Sequence, residues 1–115
     1  MQLDEYQKKA ITTEMMRREG PLDANNPAMV AKILGLVGEA GETAEKYKKI
    51  VRDKAGKFSD EDVVEIAKEL GDVLWYVASL ADYLGVSLES IAQTNLDKLQ
   101  SRQQRGVQAG SGDNR

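Results

Sequence analysis

The chain contains no cysteine and no histidine. Without thiols, disulfides, thiolate nucleophiles and zinc–thiolate sites are excluded. Without imidazole, so are Ser-His-Asp chemistry, the usual acid–base side chain and His-ligated transition metals. Long apolar runs are missing too. The longest, residues 73–81, ends at Asp82, far short of the ~20 residues a membrane span needs. Residues 1–7 are polar, and no apolar segment follows Arg17 and Arg18, so neither a secretory signal nor a twin-arginine signal is expected. Nor is there the basic excess of a general nucleic-acid binder: Lys plus Arg is 16, Asp plus Glu is 19, and the net charge is −3. The chemistry left is that of carboxylates, Lys and Arg, hydroxyls, and a hard cation held by oxygen. We expect a cytoplasmic protein with neither nucleic acid nor membrane as partner.

What is present is ordinary for one soluble domain: 115 residues, 41% hydrophobic and 30% charged. Gly20-Pro21 and Asn25-Asn26-Pro27 mark a loop that holds both prolines. Around it and after it the pattern predicts four helices, at about 4–18, 28–53, 60–84 and 88–104. Gly56 and Gly85 act as stops, and Ser59 or Asp60 and Ser87 as caps. No stretch alternates with period two for long enough to be a strand. The expectation is an all-α fold, a four-helix bundle with antiparallel neighbours over residues 1–106, followed by a glycine-rich tail at 107–115.

The second helix carries Val30, Ile33, Leu34, Val37, Gly41, Ala44, Lys48 and Val51 on one stripe. The third carries Val63, Ile66, Ala67, Leu70, Val73, Leu74, Val77, Ala81 and Leu84. Both stripes predict faces turned to the core. Trp75, Tyr76 and Tyr83 fall off the third-helix stripe. Either the first and fourth helices cover these aromatics, or they meet another chain.

One constellation stands out. The second helix carries Glu39-Ala40-Gly41-Glu42 and the third carries Glu69-Leu70-Gly71-Asp72. Each is an i, i+3 acid pair on one helix face, able to hold a cation between two side chains. Each has a glycine before its second acid, at a cost of about 1 kcal/mol relative to alanine. A close approach at that level would explain the glycines. If the four acids converged to ~5 Å spacings, each like-charge pair would cost on the order of 3 kcal/mol at an effective dielectric of about 20. Convergence therefore implies a cation or protonation. The plainer alternative is that these acids lie on solvated faces.

At these residues the sequence resembles the MazG-like all-α nucleoside triphosphate pyrophosphohydrolases, marked by E-x-x-E on one helix and E-x-x-D on the next. Twenty-six residues separate Glu42 from Glu69, and the likeness spans about 28–106. It implies that Glu39, Glu42, Glu69 and Asp72 hold Mg²⁺, or Mn²⁺ in its place. It implies hydrolysis of a (d)NTP to the monophosphate and pyrophosphate. It further implies substrate contacts from Tyr76 and, on the fourth helix, from Asn95, Lys98, Arg102 and Arg105. Trp75 is open to two roles, a base-stacking side chain or a core or interface aromatic. The resemblance also implies assembly as a dimer or a dimer of dimers through the second and third helices.

The sequence departs from the family pattern in two places. Gly38 stands where some relatives carry a second glutamate suited to act as base, which leaves Glu45 or a metal-bound hydroxide. Arg102 stands where some carry an asparagine. The run Lys46, Lys48, Lys49, Arg52, Lys54 and Lys57 reads either as an attractor for a triphosphate or as a solvated face. The tail is a frayed linker on composition, yet its Gly-Ser-Gly-Asp-Asn-Arg ending resembles that of a MazG-like subgroup and could close over phosphates. A reading from another class is a non-catalytic helical module that binds a protein through its aromatic face.

Overall fold

A computed structural model describes residues 1–16 and 19–115. Four helices appear, α1 (Leu3–Ile11), α2 (Pro27–Lys54), α3 (Asp60–Tyr83) and α4 (Leu88–Arg105), and among the described residues there is no strand. The fold class is therefore the expected one. The later three helices match their expected bounds closely, but α1 is shorter than the pattern suggested. It stops at Ile11, where the Thr12 and Thr13 hydroxyls donate to the carbonyls of Lys9 and Ala10 at 2.6 and 2.7 Å. Those bonds compete with the helical ladder. The expected end at Arg18, like the Arg17 and Arg18 pair, lies outside the described residues.

The helix ends have clear chemical causes. Asn26 caps α2, with Pro27 in its first turn, where proline's missing donor costs nothing. Ser59 caps α3 in a reciprocal box with Asp62. Ser87 caps α4. The C-terminal cap of α2 is Ala55, at φ 52, a left-handed conformation that disfavours a β-carbon.

α2 and α3 form an antiparallel pair. Gly35 lies against Tyr76, Lys46 reaches Glu69, and Lys54 reaches Asp62. α1 crosses the C-terminal half of α3 and is fixed by polar side chains. The buried Gln7 donates to the carbonyls of Ala78 and Val86 and accepts from the Leu88 amide. The Trp75 indole donates to Ala10 O and Thr13 Oγ1 at 3.2 and 2.9 Å. Beside it lies a buried ion pair of Lys32 and Glu14. Lys32 also donates to Met16 O, and Ser79 donates to Glu14. Desolvation lowers the pKa of Lys32 even though Asp82 opposes it.

The single chain does not close the expected core. Leu34 and Val37 are both 65% exposed, and Val30, Ile33, Val51, Val63, Leu70 and Leu74 are also exposed. These belong to the stripes that the sequence assigned to the interior. The helix pair instead meets along neighbouring rows, with Gly35 against Tyr76, Glu39 against Glu69, Lys46 against Glu65 and Glu69, and Lys54 against Asp62. The aromatics are the reverse case. Tyr83 is buried, and Trp75 and Tyr76 are half-buried against the chain's own α1 and α2. The unpartnered surface is thus mainly aliphatic, with Tyr47 and Phe58 the exposed aromatics among the described residues. The chain exposes 8190 Å², where a compact monomer of its mass would expose about 6,200 Å². Its radius of gyration is 17.1 Å, against about 13 Å for a compact domain of this length.

Candidate metal centre

The antiparallel pairing of α2 and α3 places Glu39 opposite Glu69 and Asp72. One carboxylate oxygen from each lies within 4.8 Å of the other two. Glu39 and Glu69 are half-buried between the helices, and Asp72 is exposed at the rim. The three acids are therefore not on a plain solvated face. Glu42 is exposed and stands outside this triad, although its charge is felt at Glu39. The Glu39 carboxyl is pushed above its ordinary value, first by desolvation and then by the charges of Asp72 and Glu69, a hydrogen bond with Glu69, and Glu42. A carboxyl whose proton affinity is raised by neighbouring carboxylates is short of counter-charge. Three oxygen donors with open solvent on one side suit a hard divalent cation that keeps several of its waters. The donor set fits Mg²⁺ or Mn²⁺.

Lys46 supplies part of the missing charge. Its Nζ lies 2.7 Å from Glu69 and 3.5 Å from Glu65, and the hydrogen bond to Glu69 is the main reason its own pKa rises. Much of the rest of the basic run is also engaged. Lys48 pairs with Glu45, Arg52 with Asp53, and Lys54 with Asp62. The pairing with Lys48 holds the Glu45 carboxyl below its ordinary value.

Tyr76 stands one helical turn from Asp72, and a Cβ added at Gly35 would collide with its ring. Gly35 is thus the glycine that a close approach requires. Gly41 and Gly71, inside the acid motifs, have open space around them in the single chain. Next to Tyr76 a cleft of about 230 Å³ opens, lined among others by Met15, Met16, Lys32 and Trp75. Sequence reasoning missed Gln7, Glu14 and Lys32. A buried polar residue has the same letter as an exposed one, and only Lys32's place among small and apolar neighbours hinted at its burial.

The α4 residues lie elsewhere. Asn95 and Lys98 line a shallow cleft with Val86 and Ile91. Arg102 is 6% exposed, under the C-terminal tail. Among the described residues α4 packs on α1 and α3 but not on α2, and within one chain Lys98 and Arg102 pair with Asp113 rather than with the acid triad.

Known proteins resemble this chain along its length. A family model described as the MazG nucleotide pyrophosphohydrolase domain matches residues 29–107. The Gene 37 protein of Mycobacterium phage L5 is 50% identical over 115 residues, the full length of both chains. The protein YvdC of Bacillus subtilis (strain 168) is 38% identical over 72 residues, covering 58% of this chain and 68% of that protein. No solved structure matches. Among the described residues, no helix is long and apolar enough to cross a membrane.

Proposed function

Because the chain belongs to the MazG nucleotide pyrophosphohydrolase family, we propose that it is a Mg²⁺-dependent cytoplasmic enzyme that hydrolyses a (d)NTP to (d)NMP and pyrophosphate. The observation that carries this reading is the meeting of Glu39, Glu69 and Asp72 from two helices. These three would hold the cation, with Glu42, one turn along α2, available to join them. When bound there, the ion supplies charge neutralisation for the triphosphate and an acidified water.

The chain's own residues supply the remaining roles. With Glu39 committed to the cation, the proton of a water attacking at the α–β linkage would pass to Glu42, beside the triad, or to solvent. Glu45 is less suited, because Lys48 holds its carboxyl in the ionised, weakly basic range. The bridging oxygen leaves with pyrophosphate. The cleft beside Tyr76 and Trp75 would take the nucleoside, since it opens one turn from Asp72 on the side away from Lys46. Asn95, Lys98 and Arg102 would meet the substrate only if another copy brought its α4 to the triad. A homodimer or homotetramer packed on the open stripes of α2 and α3 would supply that copy, and the excess exposed area favours such an assembly.

The test is pyrophosphate release from a panel of canonical and modified NTPs and dNTPs with Mg²⁺ or Mn²⁺, using wild type and Glu69→Gln. Equal amounts of monophosphate and pyrophosphate, falling by about 10²-fold or more in the variant, are expected. Silence across the panel together with no metal binding would leave a non-catalytic helical module instead.

A further inference from the structure

Residues 106–115 look frayed on composition, yet they fold back on the last turns of α4. Gly106 ends the helix in the left-handed region, and Gly110 and Gly112 at φ +116 and +88 turn the chain. Arg115 then ties the segment to itself. Its guanidinium donates to the carbonyls of Val107, Gly112 and Gln108 at 3.1, 2.7 and 2.9 Å. Arg105 donates to Arg115 O at 2.7 Å. Arg102 donates to the carbonyls of Asp113 and Gly112 at 2.7 and 3.4 Å, and its buried Nε has no hydrogen-bond partner.

These bonds hold the main chain of the tail. The Asp113 side chain is held far less firmly. It is 87% exposed, and one of its oxygens lies 3.3 Å from Lys98 Nζ and 3.6 Å from Arg102 Nη2. Lys98, followed by Arg102, keeps the Asp113 carboxyl below its ordinary value. The solvent-facing pair with Lys98, at this length, is weak. Two cations, Lys98 and Arg102, thus face one loosely held carboxylate, while Arg105 and Arg115 fix the tail through main-chain carbonyls.

We propose that Asp113 is a displaceable placeholder, whose carboxylate occupies the position that a phosphate group of the nucleotide's pyrophosphate end takes on binding. The inference rests on the hydrolase reading for the identity of the ligand. The tail main chain stays in place while the side chain swings out. A phosphate group carries more charge than a carboxylate and more oxygens for a guanidinium and an ammonium to share.

The probe is inorganic pyrophosphate, titrated calorimetrically into the full chain with no divalent cation present. Removing the competing charge in Asp113→Asn is expected to tighten binding about twofold to fivefold, the range that a weak exposed ion pair represents. Asp113→Ser should do the same, which guards against an effect peculiar to the amide. Lys98→Met should weaken binding. Unchanged or weaker binding in both Asp113 variants would overturn the proposal, as would no pyrophosphate binding by any of the proteins. The measurement involves neither metal nor turnover, so a failed hydrolysis assay would leave its result standing, and the reverse also holds.

Discussion

Glu39 sits where two acid pairs meet, and its environment gives it a measurable signature. Its pKa is raised above the ordinary 4.5. A carboxyl with a raised folded-state pKa contributes its stability below the ordinary value, and that contribution is lost as pH rises through the elevated one. Metal-free protein should therefore lose melting temperature from this group as pH climbs above 4.5. Glu39→Gln should remove that slope and melt higher than wild type at neutral pH without metal. Mg²⁺ should raise the wild-type melting temperature and leave the variant nearly unmoved. Differential scanning fluorimetry with and without Mg²⁺ across pH checks all three outcomes. A variant that melts lower and still responds fully to Mg²⁺ would remove Glu39 from the metal centre.

The helices show which sequence signals were sufficient and which were not. Caps and stops were readable because they are local. Ser59, Ser87 and Gly85 each act within three residues of themselves. The short α1 was not readable, because the back-bonding of Thr12 and Thr13 depends on a rotamer choice. The glycines divide in the same way. Gly41 and Gly71 drew attention by their motif, but Gly35 has the close neighbour, and that neighbour is contributed by another helix. Gly35→Ala should therefore destabilise by about 1–3 kcal/mol through overpacking against Tyr76. Ala55→Gly should stabilise by about 0.5–1 kcal/mol, because it relieves a left-handed alanine at the end of α2. Chemical denaturation of both variants tests the pair, and a stabilised Gly35→Ala would mean that Tyr76 is free to move aside.

At the scale of the whole molecule, the governing fact is the open aliphatic surface of α2 and α3. A stripe containing Leu34, Val37 and Leu70, all more than half exposed, is costly to leave in water at roughly 25 cal/mol per Å². If the surface is covered by a second copy, Val37→Asp and Leu70→Glu should each shift the mass seen by light scattering towards the monomer. Hydrolysis should then fall, because α4 of one chain no longer reaches the triad of another. A wild-type chain that is monomeric at micromolar concentration would exclude this assembly and leave the stripe for a different partner.

The sequence by itself determined the all-α class, the sites of the helix caps, and the acid motifs with their spacing. Each of these is a matter of periodicity or of contacts within a few residues. The helix arc that each stripe occupies was also legible. Which arc faces the neighbouring helix was not, because two antiparallel helices can rotate about their axes without any change in periodicity. Only the tertiary structure decided that α2 and α3 meet along Glu39, Lys46 and Glu69 rather than along Leu34 and Leu70. That rotation brings three carboxylates from the two motifs to one point and leaves the α2 stripe, with Val63, Leu70 and Leu74 of the α3 stripe, outward. It also decided that a glycine-rich tail folds, because Arg102, Arg105 and Arg115 find carbonyl acceptors that composition does not reveal.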